Sequence, residues 1–279
     1  MKERLLINRS ALRTVRERSC YILDLDGVVY TGTAPIPGAV EAISHLRKMG
    51  KKIAFLTNNS SRSPQDIQIK LQNLGVSCDS NEIMSSGYAV IQYLRGQTSF
   101  SPILQVFVIG TPSLKNSLQR EGLILTTPDA CDAVIVGFDP NFNYENVSTG
   151  LRALLRNIPF IVCNRDPYFP IESGELLPGC GAMVGSLMGA SLREPNVIIG
   201  KPNTFMLNAL INNLGWSLSD CVMIGDSLES DIAMAINADI PSVFLKGKLD
   251  DHLSLSPHLK PTLQVSDLAQ LSELIAQDY

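Results

Sequence analysis

The chain has 279 residues, 45% hydrophobic and 18% charged, with a formal charge of −4. A chain of this length buries about three quarters of its surface on folding, and this apolar content excludes disorder. It has no run of about 18 uncharged apolar residues, which excludes a membrane-spanning helix, and no Lys/Arg-rich block, which leaves no electrostatic footprint for nucleic acid.

The Arg-rich start from Met1 to Ser19 interleaves Glu3 and Glu17 and has no apolar centre, so it reads as an amphipathic helix rather than a secretory signal. Tyr21-Ile22-Leu23 reads as a strand running into an acidic loop. Pro37-Gly38 opens an amphipathic helix (Val40, Ile43, Leu46, Met49) closed by Gly50, and Lys52 to Leu56 makes the next strand, completing one βαβ crossover. Ser63-Pro64-Gln65-Asp66 has the form of a helix cap, with Pro at the first helical position and an acid three residues after the cap; Leu74-Gly75 ends that helix.

A second series follows: Val106 to Ile109 as strand, Leu114 to Glu121 as helix, Ala133 to Val136 as strand, Val147 to Arg156 as helix and Phe160 to Val162 as strand. Asn164 to Gly181, with three prolines and three glycines, reads as a loop or a domain crossing. The last third returns to strand and helix: Val197 to Ile199, a helix from Thr204 to Leu214, Val222 to Ile224, a helix from about Ser230 to Ala238, and Ser242 to Leu245. This alternation predicts an α/β fold with parallel strands. The cysteines (Cys20, Cys78, Cys131, Cys163, Cys180, Cys221) have no CxxC or Cys/His spacing, which speaks against a zinc site or a disulfide framework. Reduced thiols in the cytoplasm fit that usage.

Four apolar runs end in polar groups: Tyr21 to Asp24-Leu25-Asp26, Ile53 to Thr57-Asn58-Asn59, Val197 to Gly200-Lys201, and Val222 to Gly225-Asp226. In an open parallel sheet such ends share one rim, where ligands bind. The inventory there is two carboxylates two residues apart, a hydroxyl, an ammonium, and Asp226 with Asp231 five residues on. Close carboxylates repel one another unless a cation joins them, and an all-oxygen set suits Mg²⁺, which shares its shell with phosphate oxygens. Phosphoryl chemistry follows, with Thr57 and Lys201 holding the phosphate. The two-residue period places Asp24 and Asp26 on the same side of the strand, one to attack phosphorus and one to protonate the leaving oxygen. Taken singly the motifs have plainer readings: Asp-Gly as a turn pair, Lys201-Pro202 as the start of a helix, Thr57 to Ser60 as turn and cap residues, and Asp231 as a first-turn acid.

Asp24-Leu25-Asp26-Gly27-Val28, Leu56-Thr57-Asn58-Asn59-Ser60, Gly200-Lys201-Pro202 and Gly225-Asp226 with Asp231 resemble, in order, the four motifs of the haloacid-dehalogenase (HAD) superfamily of phosphatases. Leu177-Pro178-Gly179-Cys180-Gly181-Ala182 and the Thr-Asn-Asn-Ser motif resemble subclass IIA, the NagD-like branch that includes p-nitrophenyl phosphatases. Thr57 and Lys201 lie 144 positions apart, whereas a crossover to a neighbouring strand takes about 30 to 40 residues. The expected organisation is therefore a Rossmann-like parallel-sheet core, residues 1–85 plus 180–279, with an inserted α/β cap at 86–179.

The resemblance implies Asp24 as nucleophile forming an aspartyl-phosphate and Asp26 as general acid and then base. It also implies that Thr57, Asn58 (through its backbone), Asn59 and Lys201 bind phosphate. Mg²⁺ would sit on Asp24, the Asp26 carbonyl and Asp226, with Asp231 binding it directly or from behind another ligand. The implied activity is a cytoplasmic, Mg²⁺-dependent phosphatase of a small phosphorylated metabolite such as a sugar phosphate or nucleoside monophosphate, and the family often dimerises through the cap. A phosphomutase, a pyrophosphatase and a non-catalytic phosphate-binding regulator are the alternatives on the same scaffold. His45, His252 and His258 read as surface residues, Trp216 as packing, and Arg165 or Asp166 as a substrate contact or a hinge salt bridge.

Overall fold

The computed structural model describes residues 8–96, 105–171, 173–246 and 258–277. In chain order it contains α1 (Arg9–Arg16), β1 (Cys20–Leu23), β2 (Tyr30–Thr31), β3 (Ala34–Pro35), α2 (Ala39–Lys48), β4 (Lys52–Thr57), α3 (Pro64–Asn73), β5 (Ile83–Ser85) and α4 (Ser86–Gly96). Then come β6 (Gln105–Ile109), α5 (Pro112–Arg120), β7 (Ile124–Leu125), β8 (Ala133–Val136), α6 (Tyr144–Leu154), β9 (Phe160–Val162), β10 (Tyr168–Pro170), β11 (Leu176–Pro178) and α7 (Cys180–Ser191). The chain finishes with β12 (Val197–Ile198), α8 (Phe205–Leu214), β13 (Cys221–Gly225), α9 (Ala233–Asn237), β14 (Ser242–Leu245), β15 (Leu263–Val265) and α10 (Leu268–Ala276).

Two compact units result, one of residues 1–56, 70–83 and 210–279, the other of 57–69 and 84–209. The first carries a six-stranded sheet of order β15-β14-β13-β1-β4-β5. Its pairs β1·β13, β1·β4, β13·β14 and β14·β15 are all parallel. Strands buried on both faces need apolar residues at every position, and β1 (Cys-Tyr-Ile-Leu) and β13 (Cys-Val-Met-Ile-Gly) are buried throughout. From β1 the order runs one way to β4 and the other way to β13, β14 and β15. The carboxyl ends of β1 and β13 thus flank the point where strand order reverses, the place where an open α/β sheet leaves a crevice.

The second unit carries a parallel five-stranded sheet of order β12-β9-β8-β6-β7. Its core includes Ile109, Val134, Phe160, Met183, Val184 and Leu187. Two expectations are corrected here. Val197–Ile198 pairs with Ile161 and Val162 of β9, so the four motif-bearing runs do not all end in one sheet; β1, β4 and β13 share the first, and β12 belongs to the second. The stretch from Asn164 to Gly181, read as loop, contains an antiparallel hairpin in which Tyr168, Phe169 and Pro170 face Pro178, Leu177 and Leu176. Prolines at both ends of a two-stranded ribbon hide a strand from pattern reading, because each removes a ladder donor that such an edge can spare. Helix α7 packs on the second sheet and β12 belongs to it, within a unit that reaches residue 209.

The helix read from about Ser230 to Ala238 is a π-type turn, Leu228–Ile232, followed by α9, whereas the cap signal of α3 holds. Ser63 and Asp66 form the reciprocal cap of α3: the Asp66 N–H donates to Ser63 Oγ (3.1 Å) and the Ser63 N–H to Asp66 Oδ2 (3.2 Å). Helix α6 begins three residues earlier than the sequence indicated, because Asn143 and Asn146 cap each other in place of the usual Ser/Thr and Glu pair. His45 is exposed and its Nδ1 lies 2.8 Å from Ser272 Oγ, joining α2 to α10. His258 is exposed, and His252 lies outside the described residues.

Candidate active site

Within the first unit, β1 hands the chain to Asp24, whose N–H donates to Ile224 O (2.9 Å) and so extends the β1·β13 pairing by one residue. The chain bends at Leu25, and Asp26 forms a bridge with Tyr30. The two-residue strand period therefore stops before Asp26, correcting the same-side argument: Asp24 is 8% exposed and buried, whereas Asp26 is exposed. The turn needs Gly27, whose φ is +83°, a conformation that costs other residues about 1–2 kcal/mol. A side chain there would also collide with Asp226, because a Cβ on Gly27 would fall 1.8 Å from Asp226 Oδ2.

Asp226 directly follows β13. Ser227 then caps a turn of π-helix, Leu228–Ile232, by accepting the Ser230 N–H at its Oγ. That wider turn, of a kind frequent at functional sites, carries Asp231 inward to 0% exposure, where its carboxylate accepts the Ser227 N–H (3.1 Å). Gly225 makes the approach possible, since a Cβ there would lie 2.2 Å from Asp231 Cγ.

The structure thus brings three of the expected acids together: one carboxylate oxygen from each of Asp24, Asp226 and Asp231 lies within 4.8 Å of the others. At that spacing, with an effective dielectric constant of about 20, each pair of charges repels by about 3.5 kcal/mol. A divalent cation relieves that repulsion, and an all-oxygen, partly buried set with glycines cleared around it fits Mg²⁺. Among the described residues Asp26 is not a member of the carboxylate cluster.

The other expected residues lie in the second unit. Thr57 ends β4 at 2% exposure, and its Oγ1 accepts the Asn59 N–H (3.1 Å). Asn59 Oδ1 accepts the N–H and hydroxyl of Ser61, both at 2.8 Å, which folds the loop back on itself. Lys201, three residues past β12, is 3% exposed. Asn58 is hydrogen-bonded to its backbone: the Lys201 N–H donates to Asn58 Oδ1 (2.8 Å) and Asn58 Nδ2 donates to Lys201 O (3.2 Å). Asn58 Nδ2 donates also to Asp166 Oδ1 (3.0 Å), and the Asn58 carbonyl accepts from Asn164 Nδ2 and Ser86 Oγ, both at 2.6 Å.

Asn164 and Ser86 carried no motif, and Asp166 was open between two roles. Asp166 accepts from Asn58, while Arg165 pairs with Glu194 at 3.3 Å. None of the six cysteines is in a disulfide, and all six are buried. Burial pushes the Cys180 thiol up to about 12 and that of Cys78 to about 11, which favours the neutral thiol over the reactive thiolate at neutral pH.

A model of haloacid dehalogenase-like hydrolases matches residues 21–124, and a HAD-hydrolase-like model matches 198–271. The acid sugar phosphatase of Staphylococcus saprophyticus is 32% identical over 83% of this chain and 88% of its own length. The chain belongs to the haloacid dehalogenase-like hydrolases. Among solved structures this hydrolase resembles the p-nitrophenyl phosphatase from Archaeoglobus fulgidus, with a TM-score of 0.82 at 30% identity, covering 92% of this chain and 99% of that one. It also resembles a glycerol phosphate phosphatase from Mycobacterium tuberculosis in complex with magnesium, with a TM-score of 0.82 at 30% identity, covering 93% and 78%. The subclass expected from the motifs, the NagD-like and p-nitrophenyl phosphatase branch, is the one its structural neighbours occupy. Among the described residues no helix is long and apolar enough to cross a membrane.

Proposed function

We propose that this hydrolase is a Mg²⁺-dependent phosphatase that moves the phosphoryl group of a small phosphate monoester to water through an aspartyl-phosphate on Asp24. The observation that carries the reading is the Asp24, Asp226 and Asp231 carboxylate cluster at the reversal point of the first sheet. These three residues, with the Asp26 carbonyl, would hold Mg²⁺, and the bound cation would supply charge neutralisation to the nucleophile and the phosphoryl oxygens.

In the first half-reaction an Asp24 carboxylate oxygen attacks phosphorus. The bond from phosphorus to the ester oxygen breaks, and Asp26 gives its proton to the departing alkoxide. In the second, Asp26 takes a proton from the water that attacks phosphorus, the acyl-phosphate bond breaks, and inorganic phosphate leaves with Asp24 restored. Thr57 Oγ1, the Asn58 N–H and the Lys201 ammonium are assigned to the phosphoryl oxygens, with Asn59 shaping the loop that presents them. Transfer of this kind is positioning plus charge stabilisation. An acid two residues after Asp24, able to activate water, favours water as acceptor and so hydrolysis over a mutase.

Relatives named as an acid sugar phosphatase, a glycerol phosphate phosphatase and a 5'-nucleotidase support a sugar, polyol or nucleoside monophosphate as substrate. Six thiols outside any disulfide support a reducing, cytoplasmic setting, and a homodimer through the second unit is supported by its exposed Leu192 (91%), Tyr144 (86%) and Leu155 (70%). The test is phosphate release from a panel of small monoesters with Mg²⁺, with EDTA, and with Asp24→Asn. Release that needs both metal and Asp24 is expected; release that survives either change refutes the mechanism.

A further inference from the structure

The side chain of Asn58 has one acceptor oxygen and two donor hydrogens to place. Its oxygen takes the Lys201 N–H at 2.8 Å, and its nitrogen gives one hydrogen to Lys201 O at 3.2 Å and the other to Asp166 Oδ1 at 3.0 Å. The orientation of the amide follows from its partners, because a backbone N–H only donates and a carbonyl or a carboxylate only accepts. Both donors are thereby committed inside the protein. The loop around them is held in turn: Asn164 Nδ2 and Ser86 Oγ donate to the Asn58 carbonyl, and Asp166 N–H donates to Asn164 Oδ1 (3.1 Å). The peptide before Lys201 is equally confined, since a Cβ on Gly200 would lie 2.6 Å from Asn58 Oδ1 and 2.7 Å from Cys163 O.

We infer that the Asn58 side chain is a positioning residue for Lys201, with Asp166 as the group that orients it, and that its amide does not bind phosphate. This inference rests on the proposed role of Lys201 against the phosphoryl oxygens. An amide that grips both the N–H and the C=O of one residue fixes that residue's backbone in rotation and translation together, so the long lysine side chain starts from one defined point. Asn58 and Asp166 meet across 108 positions of sequence, and the carboxylate acceptor gives that link the strength of a charge-assisted hydrogen bond. The motif asparagine thus serves through two different atoms: its backbone N–H is assigned to phosphate, its side chain to the lysine.

The test is a double-mutant cycle in kcat on an aryl phosphate at saturating Mg²⁺, with Asn58→Ala, Lys201→Ala and the pair. A misplacement of the ammonium by about 1 Å costs up to about a hundredfold, so Asn58→Ala should lower kcat by about ten- to a hundredfold. In the Lys201→Ala background there is no ammonium left to misplace, and the same substitution should change kcat by no more than about twofold. Equal losses in both backgrounds overturn the inference, since a merely structural role would persist without the lysine. Thermal melting of each variant checks folding. If Asn58→Ala does not fold, Asp166→Ala and Asp166→Asn run through the same cycle; the alanine should cost more than the asparagine, whose side-chain oxygen still accepts, and both effects should collapse without Lys201. Wild-type turnover by Lys201→Ala would instead overturn the role of Lys201 itself, a result separable from additivity.

Discussion

Gly225→Ala isolates the fit of Asp231 into the acid cluster. The new Cβ would lie 2.2 Å from Asp231 Cγ and Oδ2 and 2.3 Å from its Cβ. The last atom is fixed to the backbone, so a rotamer change alone cannot relieve the contact and the Leu228–Ile232 turn must shift. Overpacking of this kind costs about 1–3 kcal/mol, and the charged hydrogen bond from the Ser227 N–H to Asp231 contributes about 1.5–3 kcal/mol. The two losses share one displacement and do not add fully, so about 3 kcal/mol is expected. Thermal unfolding should therefore fall by about 6–12 °C. With Asp231 displaced, Mg²⁺ affinity should weaken by about ten- to a hundredfold, the range seen when groups supporting a metal site are removed. Two assays read this: the melting temperature without metal, and its rise on titrating Mg²⁺, which follows the logarithm of metal concentration over Kd. Gly185→Ala is the control, because nothing lies within 4 Å of a Cβ on that exposed position of α7, and there alanine should add about 0.5–1 kcal/mol of stability. A Gly225→Ala protein that melts and binds Mg²⁺ as the parent does would refute the placement of Asp231 in the site.

Asp24→Asn should reduce phosphate release by at least about a thousandfold while leaving circular dichroism and melting near those of the parent; turnover within tenfold of the parent would remove Asp24 as nucleophile. Chelation with EDTA should abolish activity, and excess Mg²⁺ should restore it in a stopped assay. Stability should decline with alkaline pH. Cys180 and Cys78 are raised by burial to about 12 and about 11 from the ordinary 9.0, so above pH 9 the unfolded chain loses protons that the native state keeps. Urea midpoints between pH 8 and 11 check this, and native thiols should resist alkylation at pH 8 until denaturant exposes all six. Ser63→Ala should cost about 1 kcal/mol at neutral pH by removing the cap of α3. The Asp66 carboxyl is held below its usual value, first by the Ser63 hydroxyl, so its share is present above pH 4 and vanishes as acid protonates it; a stability difference between parent and variant that does not shrink on acidification would contradict that pairing.

What could be read from the sequence was local. Helix caps such as Ser63-Pro64-Gln65-Asp66 act within a few residues, buried strands announce themselves as apolar runs, and carboxylates at the ends of two such runs forecast the acid cluster that Asp24 and Asp226 form. Asp231 could be placed near them by its five-residue offset, but its full burial depends on a π-type turn and on the missing side chain of Gly225, neither of which has a local signature. Pairing across the chain was decided only in three dimensions. Val197–Ile198 looks like any buried strand, and its choice of β9 over the first sheet follows from register with Ile161 and Val162, a competition between surfaces far apart in sequence. The amide of Asn58 shows the same division: its residue type was legible as a turn former, but its three partners lie at Lys201 and Asp166, because a buried polar group must be satisfied by whatever the completed fold brings within reach.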